Sequence, residues 1–391
     1  MTDIQEASSA RPVGEPSPAD GSAGQLTFHW FLPTSGDSRE IVGGGHGAVQ
    51  NSVSQRREPT IGYLTQIARA AEQLGFVGVL TPTGTLCEDA WLTTAMLCYT
   101  TERLKFLVAF RPGFYSPTLA AQMGATFQRQ SGGRLLVNVV TGGERKEQRS
   151  YGDFLEKDDR YARTGEFLAI VRDLWDGKEV DFHGDHLAVE GACLSTPPVP
   201  VPLVYFGGSS PAAIGVAARH ADVYLTWGEP PAQVSEKIDQ VRAHARALGR
   251  TVRFGIRLHV ISRDRSEQAW AEADRLLAAV DPRQIEAAQA GFATSQSEGQ
   301  RRMAELHGGS TASLVVAPNL WAGIGLVRGG AGTALVGSHE EVADRILDYH
   351  SLGIDEFVLS GYPNLEETYW FGEGALPVLA RRGYWRRATG A

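Results

Sequence analysis

The chain has 391 residues, 42% of them hydrophobic and 21% charged, with a formal charge of −8. That balance supports a large core and excludes global disorder, and it offers no field that would attract nucleic acid. No stretch approaches the ~20 apolar residues of a membrane span, and Cys87, Cys98 and Cys193 form neither a CxxC pair nor an even set for a disulfide framework.

Residues 1–24 are rich in Ala, Ser, Pro and Gly and read as a flexible N-terminal tail, without the apolar region of a secretory signal. Leu26–Leu32 reads as a first strand. Gly36–Glu58, with its Gly43-Gly44-Gly45-His46-Gly47 run, is long for a loop and reads as an active-site lid or a locally disordered stretch. Ile61, Leu64, Ile67, Ala68, Ala71 and Leu74 then fall on one helical face, stopped by Gly75.

Further strands are expected at Val77–Thr81, Leu104–Phe110, Leu135–Val140, Val201–Phe206, Val223–Trp227, Val252–Val260 and Phe357–Leu359. Amphipathic stretches such as Gly165–Trp175 and Val234–Leu248 separate them. Nearly continuous apolar strands alternating with helices and lacking an internal repeat predict an α/β fold, a (β/α)8 TIM barrel. The barrel domain is expected over 25–380, with an insertion at about 270–335 lying over its C-terminal face. The basic-aromatic stretch within 381–391 reads as a surface tail, one available for subunit contact.

Catalytic groups of such barrels sit just after the strands. Phe206-Gly-Gly-Ser-Ser-Pro211 follows one strand and opens a helix, so Gly208, Ser209 and Ser210 form a natural phosphate seat, with a plain Ser N-cap as the alternative. Arg257 and His259 alternate on a strand and share a face, either as a structural polar cluster or as a functional pair. Arg328 lies in the glycine-rich run Leu326–Gly332, where a solvated loop arginine is the plain reading. Cys87 lacks an adjacent base and reads as a buried or cavity-lining thiol. Asn138 and Thr141 end a strand and Tyr161 begins a helix. His183-Gly-Asp-His186 reads as a hairpin turn, and no metal site is expected. Neither a nucleophile-elbow Gly-x-Ser-x-Gly nor a phosphate-loop Gly-x-x-x-x-Gly-Lys-Ser/Thr is found.

Together these stretches resemble the bacterial-luciferase-like flavin monooxygenases, and among them the FMNH2-dependent alkanesulfonate branch. The resemblance is carried by Trp30–Thr34, Thr83–Trp91, Leu104–Ala109, Val137–Gly142, Tyr205–Ser210, Leu225–Pro231, Phe254–Val260, Pro318–Gly323, Leu326–Gly337 and Leu359–Pro363. It implies a cytoplasmic two-component enzyme that uses FMN as FMNH2, with O2, to split an organosulfur substrate into aldehyde and sulfite. A separate NAD(P)H-dependent FMN reductase would supply the reduced flavin, and a homodimer or homotetramer is implied. Ser209, Ser210, Gly208, Asn138 and Tyr161 would then hold flavin. Arg257, His259, Arg328, Trp227, Tyr362 and Cys87 would line the reaction pocket, with Arg328 on a closing lid and His259 changing protonation near neutrality. Other readings are a monooxygenase of a sulfone or another small organic substrate, a deazaflavin-dependent oxidoreductase, and a non-catalytic flavin-binding barrel. The chain departs from the family pattern in the Gly36–Glu58 loop and the N-terminal tail.

Overall fold

A computed structural model describes residues 25–43 and 52–387. The expected N-terminal tail and the segment 44–51 of the glycine-rich loop lie outside the described residues.

Eight parallel strands close on themselves in chain order. They are β1 (Thr27–Phe31), β2 (Gly78–Thr81), β3 (Lys105–Phe110), β4 (Leu135–Val139), β5 (Leu203–Phe206), β6 (Val223–Trp227), β7 (Arg253–Arg263) and β8 (Ile354–Ser360). Each pairs with the next and β8 returns to β1, which makes the expected (β/α)8 TIM barrel. Every strand placed from the sequence is one of these eight.

Alternation along the strands builds two cores. Phe28, Trp30, Phe106, Val137, Ile256 and Leu258 point outward under the helices. Phe31, Leu80, Leu107, Leu136, Leu225 and Val358 point inward and fill the barrel. Below them Glu356 gathers a polar layer, accepting from Tyr205 Oη at 2.6 Å and from Arg253 at 2.6 Å.

The helix α1 (Ile61–Leu74) starts on Thr60, whose side chain accepts the Tyr63 amide, and stops on Gly75 in the left-handed region. A Cβ on Gly75 would stand 2.9 Å from the Trp385 ring. Within the stretch read as a surface tail, Arg381–Gly383, Arg386 and Arg387 are exposed, whereas Trp385 is 8% exposed and packs on the core, and Tyr384 O accepts the Leu26 amide at 2.8 Å.

The long helix between β4 and β5, α2 (Lys157–Trp175), begins eight residues before the amphipathic stretch that announced it. The helix after β5, α3 (Pro211–His220), is capped by Ser210. Residues 180–192 form the expected hairpin around His183–His186. The insertion holds three helices, α4 (Ser266–Ala278), α5 (Pro282–Ala293) and α6 (Glu298–His307). A strand at Ala334–Ser338, not anticipated, runs parallel to the outer end of β7 and ties the insertion to the barrel. Among the described residues no helix is long and apolar enough to cross a membrane.

Candidate active site

The C-terminal ends of the strands open into a cavity of about 670 Å3, within the usual range for a cofactor or substrate site. Cys87, Asn138, Tyr161, Gly208, Ser209, Ser210, Trp227, Arg257 and Arg328 all line it. His259 and Tyr362 lie behind it, around a small adjoining void that Arg328 and Phe31 also border.

At the β5 end the backbone makes a close turn. A Cβ on Gly207 would meet Leu225 O at 2.6 Å, and one on Gly208 would meet Ala213 Cβ at 2.6 Å. Only glycine fits both positions. Ser210 Oγ accepts the Ala213 amide at 3.3 Å, and the Tyr161 hydroxyl bonds the Ser210 side chain. Tyr224, on the helix-facing side of β6, donates to Gly208 O at 2.6 Å and also bonds Ser209. Burial raises both tyrosines above their ordinary pKa, so they stay protonated donors. Hydroxyls and a helix N-terminus around a glycine turn suit a phosphate group, so the residues present fit the phosphate end of a flavin mononucleotide.

The β7–β8 side is cationic. Arg257 is 5% exposed, with its guanidinium 4.7 Å from the Phe31 ring centre; Arg328 approaches the same ring at 5.4 Å. Among the described residues neither arginine has a carboxylate partner. Burial, then the field of Arg328, pushes Arg257 down to about 9, so it is still charged at neutral pH. Its Nη2 donates to Ser360 Oγ at 2.8 Å and its Nη1 to Leu258 O at 2.5 Å.

His259 is placed differently from expectation. It is 1% exposed, stacked on Tyr362 with ring centres 5.5 Å apart, and both its nitrogens are engaged. Nε2 lies 3.1 Å from Ala331 O and Nδ1 lies 2.7 Å from Ser360 Oγ. A carbonyl can only accept, so Nε2 carries the proton and Nδ1 accepts from Ser360. Burial, reinforced by Arg257 and Arg328, holds the imidazole well below 6.5. The expected change of protonation near neutrality is therefore corrected: His259 is a neutral link between strand and loop.

Cys87 stays a thiol because burial pushes it up, although a hydrogen bond to Thr34 and the fields of Arg328 and Arg111 act the other way. Arg111, at the end of β3, pairs with Glu147 at 2.6 Å, and Glu147 also accepts the Thr85 amide at 2.8 Å. This pair fastens the loop that carries Cys87 to the segment after β4.

The Arg328 loop is held from three directions. His259 bonds Ala331 O; Gln289 of α5 donates to Leu326 O at 2.8 Å; Gln300 of α6 accepts the Gly330 amide at 2.8 Å. The insertion helix is itself anchored, since Arg302 forks onto the fully buried Glu229 at 2.9 and 2.6 Å. Lys237 reaches the same carboxylate at 2.7 Å. Arg328 is thus half-buried in a seated loop, and the solvated reading is corrected.

The profile of the luciferase-like monooxygenases matches residues 26–356. The chain belongs to the luciferase-like monooxygenase family. The fold of this luciferase-like monooxygenase is shared with solved structures of low identity. One is a riboflavin lyase crystallised with a modified FMN and riboflavin, at 21% identity, TM-score 0.77 and 94% coverage of each chain. Another is a long-chain alkane monooxygenase, at 19% identity, TM-score 0.77 and again 94% of each chain. A third is DmoA from Hyphomicrobium sulfonivorans, at 19% identity and TM-score 0.77, covering 94% of this chain and 91% of that one.

Ser360, Tyr224, Phe31, Gln300 and the Arg302–Glu229 pair escaped the sequence reading. Single polar residues without a motif gave no signal, although Ser360 could have been found as the last inward position of β8.

Proposed function

We propose that this luciferase-like monooxygenase binds reduced FMN and uses O2 to cleave the carbon–sulfur bond of alkanesulfonates, releasing an aldehyde and sulfite. The observation that carries the reading is the pair Arg257 and Arg328, two guanidiniums without carboxylate partners among the described residues, converging on Phe31 at the cavity wall. A sulfonate is ionised at every cellular pH, and the planar, permanently charged guanidinium is the side chain suited to it.

In this reading Gly208, Ser209, Ser210 and Tyr161 hold the flavin phosphate and Asn138 borders the flavin. When bound, the reduced flavin supplies the two electrons that activate O2, one oxygen atom going to the substrate carbon and the other leaving as water. Arg257 and Arg328 fix the sulfonate and stabilise negative charge that develops beside it. Ser360 and His259 keep Arg257 in register with the loop of Arg328. Trp227, Tyr362 and the Cys87 thiol shape the pocket, and the seated loop keeps bulk water out. A separate NAD(P)H-dependent reductase supplies reduced FMN, and the chain works as a homodimer or homotetramer.

The test is sulfite release from a series of alkanesulfonates with chemically or enzymatically reduced FMN. Sulfite formation that depends on both reduced FMN and O2 supports the reading. Oxygen transfer to a neutral substrate with no sulfite from any sulfonate would overturn it.

A further inference from the structure

The phosphate seat is short of positive charge. The first position of α3 is Pro211, which has no N–H, and the Ala213 amide is already spent on Ser210 Oγ. What remains of the helix N-terminus carries about half an elementary charge, whereas a phosphate monoester carries about −1.5 to −2 at neutral pH. The hydroxyls of Ser209, Ser210 and Tyr161 are neutral.

Lys157 is a cavity-lining cation on the helix that carries Tyr161. It is the first residue of α2, four positions before Tyr161, so the two side chains share a helix face. Both line the cavity, and Tyr161 is the residue that bonds Ser210. A lysine in the first turn opposes the helix dipole, and its neighbours Asp158 and Asp159 are the acids expected there. Among the described residues the ammonium has no ion-pair partner. Its field reaches Glu298, the first residue of α6, which lines the same cavity.

We propose that Lys157 is the cation that reads the flavin phosphate and thereby sets a preference for FMN over unphosphorylated riboflavin. The inference rests on the flavin reading above and adds to it a specificity-determining residue. The charge is half-exposed rather than sealed, so it also makes the preference dependent on salt.

The experiment is anaerobic titration of the full chain with reduced FMN and with reduced riboflavin. Lys157→Met is expected to weaken reduced FMN about tenfold, in the range of a charge-assisted hydrogen bond, and to leave riboflavin unchanged. Lys157→Arg is expected to restore most of the preference, and Lys146→Met, which removes another cavity-lining lysine, is expected to leave it intact. Circular dichroism confirms folding of each variant. If Lys157→Met keeps the FMN-to-riboflavin ratio, or Lys146→Met lowers it as much, this inference falls while the flavin reading stands. If the unaltered chain binds neither reduced flavin, both fall.

Discussion

Arg257 and His259 share one face of one strand and are joined by the single hydroxyl of Ser360, 2.8 Å from the guanidinium and 2.7 Å from the imidazole. The chain of donors runs from Arg257 to Ser360 to His259 to Ala331 O, and so from the barrel interior to the loop of Arg328. One proton orientation satisfies every member.

Ser360→Ala removes the shared hydroxyl and leaves two buried groups without their partner. The loss is expected to cost about 1–3 kcal/mol of stability and to lower kcat/KM for sulfite formation by about tenfold or more. Ser360→Thr keeps the hydroxyl and should recover part of both. Urea unfolding and the sulfite assay check this, and an Ala variant equal to the parent in both would remove Ser360 from the network.

A neutral His259 has a consequence for stability against pH. The unfolded chain takes up a proton at this residue below about 6.5, whereas the folded chain resists it. The unfolded state then binds more protons, so the contribution is fully present above about 6.5 and is lost as pH falls. His220 and His307, each pushed down to about 4 by burial, act with the same sign. Urea midpoints between about pH 5 and 7.5 should therefore fall on acidification, less steeply in His259→Gln. The turnover profile should carry no His259 inflection near neutrality; an inflection that His259→Gln abolishes would contradict a neutral imidazole.

Arg328→Ala should abolish sulfite formation and leave the fold intact, because among the described residues the side chain bonds Gly329 O at 3.0 Å and Tyr362 while packing on Phe31. Loss of one cation from a desolvated anion site is expected to cost about 2–5 kcal/mol in transition-state stabilisation. Near-normal turnover would show that the residue does not meet the substrate.

Gln300 is expected to act through the loop rather than on the substrate. Gln300→Ala frees the Gly330 amide and should raise KM with a smaller change in kcat, while Gln300→Glu keeps the acceptor and should be milder. Hydrogen exchange across residues 326–332 reads the cause directly: faster exchange in the Ala variant supports the role, and unchanged exchange refutes it.

The barrel was legible because its strands are buried on both faces and read as short apolar runs, from Leu104–Phe110 to Val223–Trp227. The strand Ala334–Ser338 was not, because it is a brief run after a glycine loop and pairs outside the closed barrel. The phosphate seat showed through Gly-Gly-Ser-Ser, a local motif. Tyr224 was hidden, since its strand position points it at the helices and only the length of a tyrosine brings its hydroxyl back to Gly208. Trp385 was misread for a related reason: a basic neighbourhood looks solvated, but one aromatic ring among the arginines turns inward. The sharpest gap is His259, whose type suggested titration and whose burial denies it.

The Arg302–Glu229 fork bears on how this protein can be re-engineered. Insertions over barrel mouths invite exchange between relatives as cassettes that transplant specificity. Here a graft taken from α4 to α6 alone would carry Arg302 away and leave Glu229 facing only Lys237 inside the barrel wall. The donor barrel would keep a Glu229–Lys237 pair, and the recipient would receive Arg302 without the carboxylate it forks onto. A chimera must move the acid after β6 together with the helix that answers it, so the unit of exchange is a pair of segments far apart in the chain.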